Sequence, residues 1–132
     1  MSTSLGLSQI GQIAIPVKDV AAATRFYRTA LGMKCVSEMA EMSFFDCDGM
    51  RLMLARPEGL EPGYRSGVIY FTVENIYTAA NTLVSRGVQF ISKPHVAART
   101  PDHEVWFAFF KDIDGNMLAL MSEIHKVWEE IE

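Results

Sequence analysis

Two stretches decide the fold: DCDGMRLML at 46–54 and DIDGNMLAL at 112–120. Each joins an Asp-Gly turn to a short run rich in apolar residues. Asp-Gly readily supplies the backbone of a tight hairpin turn. The elements before each copy also repeat. IGQIAIPV (10–17) alternates weakly and predicts a strand, with Ile13, Ile15 and Val17 on one face. Asp19 then caps a helix over 20–30, where Val20, Ala23, Phe26, Tyr27 and Ala30 form an apolar stripe ending near Gly32. Strands follow near 33–39, 42–46 and 50–55. In the second half GVIYFTV (67–73) is a strand, and Asn75 caps a helix over 75–86 that ends at Gly87. Strands over 88–92 and 103–110 flank the excursion SKPHVAARTPD, and 116–121 closes the set.

Val17 and Asp19 align with Val73 and Asn75 at an offset of 56, and Asp48-Gly49 aligns with Asp114-Gly115 at an offset of 66. The chain therefore reads as two tandem βαβββ modules, 9–55 and 67–122. A Pro- and Gly-rich linker, 56–66, joins them, and the amphipathic segment 123–132 is expected to be a C-terminal helix. Each helix can cover one face of its sheet, and neither module is large enough to bury both faces alone. The expected class is α+β, a curved mixed sheet around a cavity.

Composition narrows the function. The 132 residues are 49% hydrophobic and 21% charged, with a net charge of −4. That balance suits a folded domain and gives no general attraction to nucleic acid or anionic membranes. No run has membrane-spanning length, and MSTSLGLSQ lacks the basic and apolar regions of a secretion signal, so a cytoplasmic location is expected. Cys35 and Cys47 form no CxxC pair and read as small core residues. No dinucleotide fingerprint, Walker loop, HExxH or GxSxG is present. Asp112, Asp114 and Asn116 resemble the start of a calcium loop, but the glycine comes too early and the closing glutamate is missing. His95 and His103 flank a hairpin; a metal there would need Glu104 or Asp102 as well.

The duplication and its local text resemble the vicinal oxygen chelate superfamily, which has the glyoxalase/bleomycin resistance fold. GQIAIPVKDVAAATRFYRTALGM (11–33) is similar to that family's first strand and helix, and FFKDIDGNMLAL (109–120) to its last hairpin. The resemblance covers roughly 9–122. It implies metal ligands at four strand positions, which here hold Gln12, Met53, Val68 and Ala119. Only a neutral amide and a thioether could donate from that set, which does not suit a hard or borderline divalent ion. No metal and no cofactor are therefore expected.

Strand parity proposes what lines the cavity instead: Gln12, Ala14, Arg51, Met53, Val68, Tyr70, Met117, Ala119 and Met121, with Trp106 as an aromatic wall or as core. Such a pocket is apolar with sparse polar handles, as small-molecule sites are. Arg51 would neutralise a bound carboxylate or phosphate, or pair with a glutamate. Tyr70 and Gln12 would hydrogen-bond a ligand or a neighbouring strand. His103 and Glu104 are candidate acid/base groups, pointing to opposite sides of a regular strand. The leading expectation is a small-molecule-binding homodimer. A metal-independent lyase or isomerase is the alternative, with no catalytic residue assigned, and a vestigial domain acting through a partner is the third reading.

Overall fold

The computed structural model of the chain describes residues 5–56 and 67–125. The backbone divides into two compact units, one on each side of the junction between residues 66 and 67. The first unit holds β1 (Gln12–Pro16), α1 (Val20–Arg25), β2 (Lys34–Glu38), β3 (Met42–Cys47) and β4 (Met50–Ala55). The second holds β5 (Ile69–Thr72), α2 (Ile76–Ser85), β6 (His95–Arg99), β7 (His103–Lys111) and β8 (Met117–His125). Each unit forms a four-stranded mixed sheet, in the orders β1-β4-β3-β2 and β5-β8-β7-β6. In each, the first strand runs parallel to the last and the other pairs are antiparallel. This is the tandem βαβββ architecture.

The alternation seen in the sequence sets the core of each sheet. Ile15, Leu52, Leu54 and Phe45 are buried in the first unit, together with Val20, Ala23 and Tyr27 from the helical segment. The Tyr27 and Phe45 rings stand 6.0 Å apart. Leu118, Leu120, Ala108 and Phe110 are buried in the second unit, with Ile76, Ala80 and Leu83 of α2. Full burial of each large aliphatic side chain stabilises the unit by about 1.5–3 kcal/mol. Both helices begin as expected: Asp19 Oδ1 accepts from Ala22 N at 3.1 Å, and Asn75 Oδ1 from Thr78 N at 3.0 Å. After Arg25 the first helix widens into a π-helical turn over Phe26–Ala30, in which Leu31 N donates to Phe26 O.

The two Asp-Gly turns differ. Cys47 pairs with Met50, so Asp48-Gly49 is a two-residue loop, and both residues have positive φ (52° and 90°). That is the twist a tight hairpin requires. Lys111 pairs with Met117, so the second loop has five residues, 112–116. Asp112 closes it by accepting from Asp114 N, Asn116 N and Asn116 Nδ2 at 2.9, 2.8 and 2.9 Å.

Two expectations need correction. The strand placed over 88–92 is only an isolated bridge between Phe90 and Phe110; the strand lies inside the excursion, at His95–Arg99. Pro94 breaks the earlier run, and β6 is an exposed edge strand with two consecutive alanines, so it shows no alternation. The helix expected over 123–132 does not start at 123, because β8 continues through Glu123, Ile124 and His125. There Val105, Glu104 and His103 of β7 supply its pairing partners. The rest of that segment, and most of the expected linker, lie outside the described residues.

Candidate functional site

In the first unit, α1 packs on one face of the sheet, and the other face collects four of the expected lining residues. Pairing places Gln12, Arg51, Asp46 and Lys34 in one row across four strands. Ala14, Met53 and Phe44 form the next row. Gln12 Nε2 lies 3.6 Å from Met53 Sδ, and the Arg51 guanidinium carbon lies 5.7 Å from the centre of the Phe44 ring. Beside the first row is a hollow of about 280 Å³ lined by Gly11, Lys34, Val36, Asp46, Gly49 and Arg51, with Phe45 beneath.

The second unit presents a different face. Tyr70, Phe107 and Phe109 form an aromatic cluster. The Tyr70 ring is 4.8 Å from Phe107 and 6.0 Å from Phe109, and those two rings are 5.7 Å apart. Tyr70 remains 42% exposed. Ala119, its pairing partner, is fully buried, and Met121 pairs with Thr72 and Phe107 on the same face. Val68 precedes β5 and is exposed, while Met117 sits at the other end of β8 opposite Lys111. Toward the end of β8 a hollow of about 560 Å³ is lined by Thr72, Val73, Glu74, Met121, Glu123 and His125.

Trp106 and Glu104 do not join this cluster. They share the sheet face packed by α2: the Trp106 indole N–H donates to Glu104 Oε1 at 3.1 Å, and its ring lies 5.8 Å from Tyr77. Arg99 Nε donates to Glu104 Oε2 at 2.9 Å. Trp106 therefore packs with the helix, and Glu104 is engaged in an ion pair. His103 is on the face carrying Tyr70. Its Nδ1 lies 2.9 Å from Thr100 Oγ1 and 3.4 Å from Asp102 Oδ1, and its ring stacks on His125 at 5.4 Å. The hydrogen bond from Thr100, then the bond with His103, hold the Asp102 carboxyl below its ordinary range. His95 pairs with Phe107 and its ring approaches Phe109, so it does not meet His103.

Sequence reasoning missed Phe44, Phe107, Phe109 and His125. The first three were recoverable from parity, because Phe107 and Phe109 alternate with Trp106 and Ala108. His125 was hidden by the helical spacing of the segment that contains it.

The metal positions implied by the resemblance fit poorly. Val68 and Ala119 have no side-chain donor, and the amide nitrogen of Gln12 faces the Met53 sulfur. Among the described residues no group of three or more His, Cys, Asp or Glu side chains is placed to hold a metal ion.

Duplicated βαβββ units, each with one sheet face packed by its helix and one carrying candidate ligand contacts, define a glyoxalase-like class. Residues 9–120 match the model of the Glyoxalase/Bleomycin resistance protein/Dioxygenase superfamily, and the chain belongs to that superfamily. A superfamily member from Sphaerobacter thermophilus is 26% identical, with a TM-score of 0.74 over 89% of this chain and 99% of that one. Lactoylglutathione lyase from Agrobacterium tumefaciens shares the fold at 20% identity and TM-score 0.69, over 89% and 95% of the two chains. A glyoxalase-related enzyme from Fulvimarina pelagi does so at 20% and 0.72, over 88% of each. No curated protein matches the chain.

Proposed function

We propose that the chain binds a small, partly apolar organic molecule without the metal usual in its superfamily. The observation that carries this reading is the partly exposed aromatic face of Tyr70, Phe107 and Phe109. Such rings offer apolar area for a ligand's flat portion, and a few polar groups then set its orientation. Taken by itself, the first unit offers Gln12, Arg51 and Met53 on one sheet face as its own candidate ligand contacts. The substitution of ligand-type residues at Val68 and Ala119 by side chains without donors supports binding through walls instead of through an ion. We also propose a homodimer. Exposed Leu5, Leu7, Ile10, Val36 and Met39 supply apolar surface in the first unit.

The test is a screen of neutral aromatic compounds by protein-observed NMR. Hits should shift Tyr70, Phe107 and Phe109, and Tyr70→Ala should weaken them about tenfold, the loss of roughly 1.4 kcal/mol of aromatic contact. Hits that leave those rings unmoved would count against this face.

A second reading has its own observation. His103 is oriented through Nδ1 by Thr100 and Asp102 on the same face as the aromatic cluster. An imidazole so held can exchange a proton through its other nitrogen. A metal-independent lyase or isomerase would use it. His103→Gln would then abolish turnover while leaving ligand affinity nearly unchanged; equal loss of both would argue for a binding role only.

A further inference from the structure

Resting on the small-molecule reading, we propose that the first unit by itself carries an oxyanion subsite, formed by Lys34 and Arg51, for a carboxylate or phosphate group of a small molecule. Lys34 and Arg51 both pair with Asp46, one from each neighbouring strand. They therefore share one face, two strand spacings or about 10 Å apart at the backbone. Both side chains are long enough to converge above Asp46.

Asp46 does not satisfy them. Arg28 pairs with Glu38, Arg56 with Glu41 and Arg99 with Glu104, but among the described residues neither Lys34 nor Arg51 takes part in an ion pair. Asp46 Oδ1 instead accepts from Gly49 N at 3.0 Å and holds the hairpin turn. Arg51 rests against the Phe44 ring, which positions the guanidinium at the sheet surface without occupying its N–H groups. That fork matches the geometry of a carboxylate or phosphate.

The hollow beside this row has room for such a group. Its volume is about 280 Å³, and Gly11 and Gly49 on its wall have open space where a Cβ would project. Two cations against one carboxylate leave the lining with a net positive charge in a chain of net −4. A local positive site on an acidic protein selects an anionic group and orients its carrier.

The experiment is a ¹H–¹⁵N NMR titration of the full chain with inorganic phosphate, and separately with acetate. Saturable shifts are expected at the Gly11 and Gly49 amides and at Arg51 Nε. Lys34→Gln and Arg51→Gln should each weaken binding about threefold, the scale of one exposed charge pair. Asp46→Asn keeps an acceptor for Gly49 N and should tighten binding about twofold by removing the competing charge. Lys111→Gln should change nothing. Shifts spread evenly over all basic residues, or an unchanged Arg51→Gln titration, would overturn the subsite. A parallel titration with benzyl alcohol separates the two claims. Shifts at Tyr70 without an anion response leave the binding reading intact and remove the subsite. An anion response with no aromatic binding does the reverse.

Discussion

Thr24 and Ser43 show how little slack the first unit's core has. Both are fully buried, and their hydroxyls bond each other at 2.7 Å between the helix and β3. Removing one hydroxyl strands the other in apolar surroundings. Thr24→Val or Ser43→Ala should therefore cost about 1–3 kcal/mol, and the double substitution less than the sum of the two. Urea unfolding of the three variants checks this; strictly additive losses would show that the hydroxyls are not coupled. Cys47 offers a residue-scale test of electrostatics. Its burial, then the neighbouring carboxylates of Asp46 and Asp48, push its thiol up. A negative neighbour disfavours the thiolate, so the pH midpoint for alkylation should lie above that of an ordinary cysteine, and Asp48→Asn should lower it. A midpoint that ignores Asp48 would contradict that cause. Glu104 teaches the limit of residue type as a guide. It reads as an acid/base candidate in the sequence, yet Arg99 and Trp106 both donate to it on the helix-packed face.

At the scale of elements, the second Asp-Gly loop depends on one side chain. Asp112 accepts three hydrogen bonds inside the 112–116 loop. Asp112→Ala should destabilise the chain by about 2–3 kcal/mol, since hydrogen bonds to a charged acceptor are the stronger kind. Asp112→Asn, which can still accept through one oxygen, should lose less. A loss below about 0.5 kcal/mol for Asp112→Ala would mean that the loop is held by the β7–β8 ladder alone.

The strands legible in the sequence were those whose two faces differ. Leu52 and Leu54 alternate with Arg51 and Met53, and that contrast marks which side of the strand faces the helix. β7 is harder, because HEVWFAFFK is apolar on both faces and polarity no longer marks the side; Trp106 reads there as an aromatic wall or as core, and the structure packs it against Tyr77 of α2. β6 was missed for the opposite reason: it is exposed on both sides. A further feature shared by the units could not be read at all. Both β2 and β6 shift register midway, between Cys35 and Ser37 and between Val96 and Ala98. Such bulges bend an edge strand and break the regular ladder offered to other chains. The end of β8 shows tertiary pairing overriding local spacing, with Ile124 paired to Glu104 although it fits a helical stripe.

For the molecule as a whole, duplication explains the architecture better than it explains the chemistry. Each unit reuses a parallel first-to-last strand pair and a capped helix over one sheet face. The other faces have diverged, to a polar row with Gln12, Arg51, Asp46 and Lys34 in one unit and an aromatic cluster in the other. No helix among the described residues is long and apolar enough to cross a membrane. The superfamily supports many activities on this scaffold, so the fold alone selects none of them. The most direct test is native mass spectrometry of the purified chain, with metal analysis and extraction of bound small molecules on the same sample. An organic ligand at one equivalent with no stoichiometric metal is the expected result. A divalent metal at one equivalent that dissociates with loss of ligand would contradict metal-free binding and require a ligand set other than the four positions named above.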